Sequence, residues 1–126
     1  MRFARWVFTA AGIYGLIVIT PLFFLEGEVA RTAGPVTHPE YYYGFVCTAF
    51  AFQVAFLVIG RDPGRYRPII IACLIEKFTF PAIVWPLYLA GRAPLTVAVF
   101  SAIDLVWGVL LAIAWFVTQP GDRRAA

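Results

Sequence analysis

Glu76 and Lys77 stand side by side within the apolar run from Pro68 to Ala90, and Asp104 stands within the next, from Leu95 to Val117. An ionised side chain at the centre of a bilayer costs roughly 2.5 to 3.5 kcal/mol on insertion scales, so three unpaired ones would cost on the order of 8 to 10 kcal/mol. Such residues face the protein interior, where they can pair, handle protons or hold the polar group of a ligand. Counted at about 1.5 Å per residue from one end of the helices, Gln53, Glu76 and Lys77 fall at similar depths and can share a layer. Asp104 falls about 7 to 9 Å nearer the opposite face. Side chains lean toward their own helix amino terminus, which carries Glu76 and Asp104 apart, so direct contact between the two carboxyls is not expected.

Neighbouring residues on a helix point about 100° apart, so Glu76 and Lys77 do not face each other squarely and one of them is free to pair with another helix. The flexible stem of Lys77 gives it a second outlet, snorkelling toward the interface, which would leave Glu76 with Gln53 or a main-chain carbonyl. Two carboxyls against one amine leave a negative charge in excess, and Asp104 is the carboxyl expected to carry a proton at neutral pH. A purely structural role competes with these readings: Asp104 bonded to Thr48, Thr20 or a tyrosine would stitch helices together. The candidate ligand-binding set is therefore Gln53, Glu76, Lys77 and Asp104, and no motif assigns a catalytic residue.

Other reactive residue types give less. His38, the single histidine, lies in a polar stretch with Glu26, Glu28 and Glu40; a zinc site usually takes two or three nitrogen or sulfur ligands, so no metal is expected. Bis-histidine haem ligation fails by count, and no cofactor is implied. Cys47 and Cys73 form no CxxC pair and fall at depths about 12 Å apart, beyond disulfide reach. A formal charge of +3 with dispersed arginines and no stacking platform beside them does not describe a nucleic-acid binder.

These residues are positioned by four apolar segments, about 6–25, 42–60, 68–90 and 95–117, each long enough to cross a hydrocarbon core about 30 Å thick. With 62% hydrophobic and 13% charged residues the chain has too few polar groups to cover a water-soluble globule, and residues 1–126 form one membrane domain. Main-chain groups cannot be left unpaired in lipid, so each span is a helix and the fold is all-α, a transmembrane four-helix bundle. The stretch from Glu26 to Glu40 reads as a loop, and Arg61-Asp-Pro-Gly-Arg-Tyr-Arg67 as a short turn with Pro68 in the first turn of the next helix. Arg2, Arg5, Arg61, Arg65, Arg67, Arg123 and Arg124 collect at one face against Arg31 and Arg92 at the other, which places both termini in the cytoplasm. Tyr41, Tyr42 and Tyr43 read as an interface anchor at the outer side. The amino terminus resembles a secretory signal, but its apolar run is too long and no small-residue cleavage site follows. Small-residue pairs, Ala11 with Gly15, Gly44 with Thr48, Ala51 with Ala55 and Gly108 with Ala112, are expected to bring helices close. Pro81 and Pro86 leave carbonyls without donors and are expected to kink the third span above Lys77.

Four short spans, the basic turn Arg61–Arg67 and an acidic residue in the fourth span resemble the small bacterial membrane proteins of the DoxX-like superfamily. That resemblance rests on layout and implies a four-helix bundle in the bacterial cytoplasmic (inner) membrane; it carries over no activity. Small multidrug transporters also have four spans and a membrane glutamate, but theirs lies in the first helix, where this chain has no internal charge. The leading functional expectation is a non-enzymatic bundle in the lipid bilayer that binds a small hydrophobic, lipid-like or quinone-like molecule, or serves a larger membrane complex as accessory subunit. A proton-coupled carrier and a membrane-embedded acid-base enzyme are the alternatives, and homo-oligomers are compatible with the small interior of one bundle.

Overall fold

The computed structural model describes residues 1–123; Arg124, counted above, lies outside the described residues. The chain is all-helical, with α1 at Arg2–Ile19 extended by a 3-10 turn at Thr20–Phe23, α2 at Glu26–Ala33, α3 at Pro39–Arg61, α4 at Arg67–Leu89 and α5 at Leu95–Val117. Four of these, α1 with its extension, α3, α4 and α5, are long and apolar enough to cross a bilayer. Their outward faces are as apolar as their inward ones: Ile17, Val54, Ile75, Ile83, Val106 and Val109 are all exposed. A water-soluble surface rarely carries so continuous an apolar patch.

Helix ends follow local chemistry. Pro39 begins α3 three residues ahead of the expected start, its fixed φ suiting the first helical position. Pro68 lies in the first turn of α4 as expected. Gly91, at φ 72°, supplies the left-handed step that ends α4 and makes the tight link to α5 possible. The expected loop from Glu26 to Glu40 is corrected: its first half is the helix α2, with Glu26 and Glu28 in the first turn and Arg31 in the last, an arrangement that complements the helix dipole.

Around the bundle the order is α3, α1, α5, α4. The main packed pairs are α1 with α3 and α4 with α5; α1 and α5 join the two pairs, whereas α3 and α4 barely touch. Where lipid removes the hydrophobic advantage, close packing of small residues holds helices together. A Cβ on Gly12 would lie 2.7 Å from Leu57 and 2.9 Å from the Gln53 carbonyl oxygen, and one on Gly60 would lie 2.6 Å from the Thr9 hydroxyl. Gly108 performs the same service for α4, since a Cβ placed on it would lie 3.2 Å from Lys77 Cβ. Of the expected small-residue pairs, Ala11 and Gly15 are both buried, whereas Gly44, Thr48 and Ala51 are exposed and no atom lies near a Cβ placed on Gly44. Neither pair brings a second helix close, because α3 packs closely on α1 alone; Ala55 is half-buried and Thr48 borders open space.

The ends of the bundle differ. At one end the start of α1, the end of α3, the start of α4 and the end of α5 meet in a continuous core of Ala4, Val7, Phe8, Ala11, Phe56, Ile59, Ile70, Cys73, Leu111 and Ala114. At the other end α2 follows the 3-10 turn that extends α1. The α4 helix runs unbroken through Pro81 and Pro86.

Candidate functional site

Where α3 and α4 barely touch, a cavity of about 680 Å³ lies between the helices. Its floor is made by Gln53 from α3, Glu76 and Lys77 from α4, Asp104 from α5 and Tyr14 with Gly15 from α1. The walls are chiefly apolar, from Val18 and Ile19 on α1, Phe45 on α3, Phe80 and Ile83 on α4, and Val97 and Phe100 on α5. Val29, Thr32 and Ala33 of α2 line it at the open end, so α2 covers part of the mouth. All four residues singled out in the sequence thus face one space.

Lys77 organises the floor. Its side chain is 6% exposed, and Nζ donates a hydrogen bond to Asp104 Oδ1 at 3.0 Å across the α4–α5 interface. The same ammonium lies 3.4 Å from Glu76 Oε2 and 5.3 Å from the ring centre of buried Phe56, a cation–π distance. Snorkelling of Lys77 toward the interface is therefore corrected. An ammonium turned inward gains two carboxylates and an aromatic face, and its four-carbon stem spans the axial offset between Glu76 and Asp104. The carboxyls meet only through that ammonium. The partner of Asp104 is Lys77, and Thr48 instead donates to the Gly44 carbonyl on its own helix.

The division between the carboxyls is unequal. Asp104 receives a charge-assisted hydrogen bond, while Glu76 Oε2 is buried and has no hydrogen-bond partner. Asp104 thus has the closer, hydrogen-bonded hold on Lys77 and Glu76 the more distant one. Gln53 does not partner Glu76 either. Its Nε2 donates to the Ala49 carbonyl at 2.9 Å, and its side chain fills the space beside Gly15, where a Cβ would lie 1.8 Å from Oε1.

Tyrosines fix the approach to α2. Tyr42 donates to the Leu22 carbonyl at 2.7 Å, and Tyr43 donates to Glu26 Oε2 at 2.7 Å, tying the α1–α2 junction to α3. Tyr41, by contrast, is exposed. Across the seam between α3 and α4, Phe45 and Phe80 stack with ring centres 6.2 Å apart. His38 lies outside the cavity, exposed and 3.3 Å from Glu40.

Tyr14 is a site residue the sequence reasoning passed over, and Gly15, expected only as a packing residue, lines the floor as well. Tyr14 packs against Trp107 of α5 with ring centres 5.7 Å apart and lines the floor. Its signal was a phenol at mid-span, because a hydroxyl at membrane depth needs a polar neighbour. Gly12 gave only a weak signal, since glycine is common in membrane helices. No protein-family model matches the chain, and no curated protein or solved structure is significantly similar to it.

Proposed function

We propose that the chain is an integral protein of the bacterial cytoplasmic membrane that holds a lipid-like or quinone-like small molecule, its polar end on Gln53, Glu76, Lys77 and Asp104 and its apolar body along the cavity walls. The observation that carries this reading is the coincidence of the buried ion cluster with the floor of the 680 Å³ cavity. A cluster that only stitched helices would need no space beside it. Ligand pockets commonly combine such a volume and apolar lining with a few convergent polar groups. In this reading both termini are cytoplasmic: Arg2, Arg5, Arg61, Arg65 and Arg67 belong to the closed end, while Arg31 and Arg92 belong to the open one. The cavity then opens toward the outer leaflet. The layout shared with DoxX-like proteins belongs to the same proposal, without an activity attached.

Native mass spectrometry of the protein released from nanodiscs tests the reading. The wild type is expected to retain one small molecule per chain, and Val18→Trp, which fills the cavity without touching the ion cluster, is expected to lose it. A stoichiometric protein partner in place of a small molecule would favour the accessory-subunit alternative. Equal retention by both variants would place the molecule elsewhere and remove the cavity from the argument.

A further inference from the structure

Polar groups around the cavity are unequally satisfied. Thr32, Tyr42, Thr48, Gln53 and Thr79 all donate to main-chain carbonyls, four of them to the residue four positions earlier on the same helix. The Lys77 ammonium is directed at Asp104 and Glu76. Tyr14 at the floor and Thr96 on the wall are hydroxyls that make no hydrogen bond among the described residues. Acceptor capacity, in contrast, is left over: Glu76 Oε2 is closed in beside Lys77, but the Glu76 side chain is 27% exposed and makes no hydrogen bond, and each carboxylate offers about four lone-pair sites to a single shared ammonium. Counted as ionised groups, the floor carries two carboxylates and one ammonium, one negative charge in excess.

We infer that the cavity selects an amphiphile whose head group is a singly charged, hydrogen-donating cation, such as a long-chain primary amine, with its ammonium against Glu76 and its tail along the apolar walls. The inference rests on the binding role proposed above and specifies its ligand class. An anionic head would meet the carboxylates with like charge. A neutral head that only accepts hydrogen bonds could use a spare donor such as the Tyr14 hydroxyl but would leave the excess charge uncompensated, while a primary ammonium brings both three donors and the opposite charge to the carboxylates. Opposite charges in so poorly hydrated a place attract far more than in water, which gives the cation its advantage over a neutral head on the same tail. The cavity accommodates the tail because Phe45, Phe80, Ile83, Val97 and Phe100 present no polar side-chain atoms.

The test is equilibrium dialysis of labelled dodecylamine against the full-length protein in nanodiscs of zwitterionic lipid, with empty nanodiscs as reference. Unlabelled dodecylamine, dodecanol and dodecanoate serve as competitors. Saturable binding of one dodecylamine per chain is expected, with dodecanol and dodecanoate each at least about tenfold weaker as competitors. In Glu76→Gln the ratio of dodecylamine to dodecanol affinity is expected to fall to within about threefold. If dodecanol or dodecanoate competes as well as dodecylamine on the wild type, the head-group inference is overturned while an amphiphile site stands. If no probe binds above empty nanodiscs, the binding role falls and takes the inference with it. The wild-type competition series decides between these outcomes even should the variant fail to fold.

Discussion

Three substitutions at the cavity floor should rank in a fixed order of cost, because Lys77 divides its ammonium unequally. At an effective dielectric near 20, unit charges 3.0 Å apart attract by about 5.5 kcal/mol and charges 3.4 Å apart by about 5 kcal/mol. Withdrawal of the charges from polar surroundings offsets most of that attraction, so the separations alone barely distinguish Asp104 from Glu76. What does distinguish them is the hydrogen bond, which only Asp104 makes and which contributes about 1.5–3 kcal/mol when a partner is charged. Lys77→Met leaves two buried carboxyls without a counter-charge and is expected to cost about 3–5 kcal/mol. Asp104→Asn keeps an acceptor oxygen for Lys77 but gives up the carboxylate charge, which weakens that hydrogen bond, and is expected to cost about 1–2 kcal/mol. Glu76→Gln removes the excess charge and leaves a simple Lys77–Asp104 pair, so its effect should stay within about 1 kcal/mol of zero. Because the two residues share one interaction, the double variant Lys77→Met/Asp104→Asn should be less costly than the sum of its parts by at least about 1 kcal/mol. The assay is reversible unfolding in dodecyl maltoside titrated with dodecyl sulfate and followed by circular dichroism. A Glu76→Gln variant as unstable as Asp104→Asn would refute the unequal division, and a Lys77→Met variant within about 1 kcal/mol of wild type would refute the ion cluster as an anchor of α4 to α5.

Glycine substitutions should separate packed from open positions: Gly12→Ala forces Leu57 and the Gln53 carbonyl aside and is expected to cost about 1–3 kcal/mol, whereas Gly44→Ala meets no neighbour and should be neutral or stabilising by up to about 1 kcal/mol in the same titration. Tyr43→Phe removes the hydrogen bond to Glu26, worth about 0.5–1.5 kcal/mol, so amide exchange across Glu26–Ala33 should quicken by roughly two- to tenfold while the four long helices are unaffected; unchanged exchange would mean that α2 is held by other contacts. Cysteines introduced at Arg65 and Arg92 report the topology of the proposed membrane orientation. An impermeant maleimide added to intact cells should label Arg92→Cys and spare Arg65→Cys, and the opposite pattern would invert the bundle.

Span positions and helix type were legible in the sequence because they follow from local hydropathy and from the need of main-chain groups to pair within lipid-length segments. The Arg61–Arg67 turn, the Pro68 start and the end of the last span at Val117 are local signals, and the spans, with the 3-10 extension of α1 counted, begin and stop within about four residues of their expected bounds. That Gln53, Glu76, Lys77 and Asp104 face one interior followed from the cost of leaving charge against acyl chains. Partner choice was not available at that level. Whether Lys77 reaches Asp104 or the interface depends on the rotation of α4 about its axis and its axial register against α5, set by the fit of Gly108 against Lys77 Cβ and Phe78. Likewise α2 was hidden in a polar stretch with too few apolar residues to show a periodicity, and only its tie to α3 through Tyr43 and Glu26 gives it a place. The cavity belongs wholly to tertiary structure: it exists because glycines draw α1 onto α3 and α4 onto α5 while nothing comparable joins α3 to α4. Sequence alone required that the buried charges be sheltered; the packing of the helix pairs decided which charge meets which, and left open space beside them.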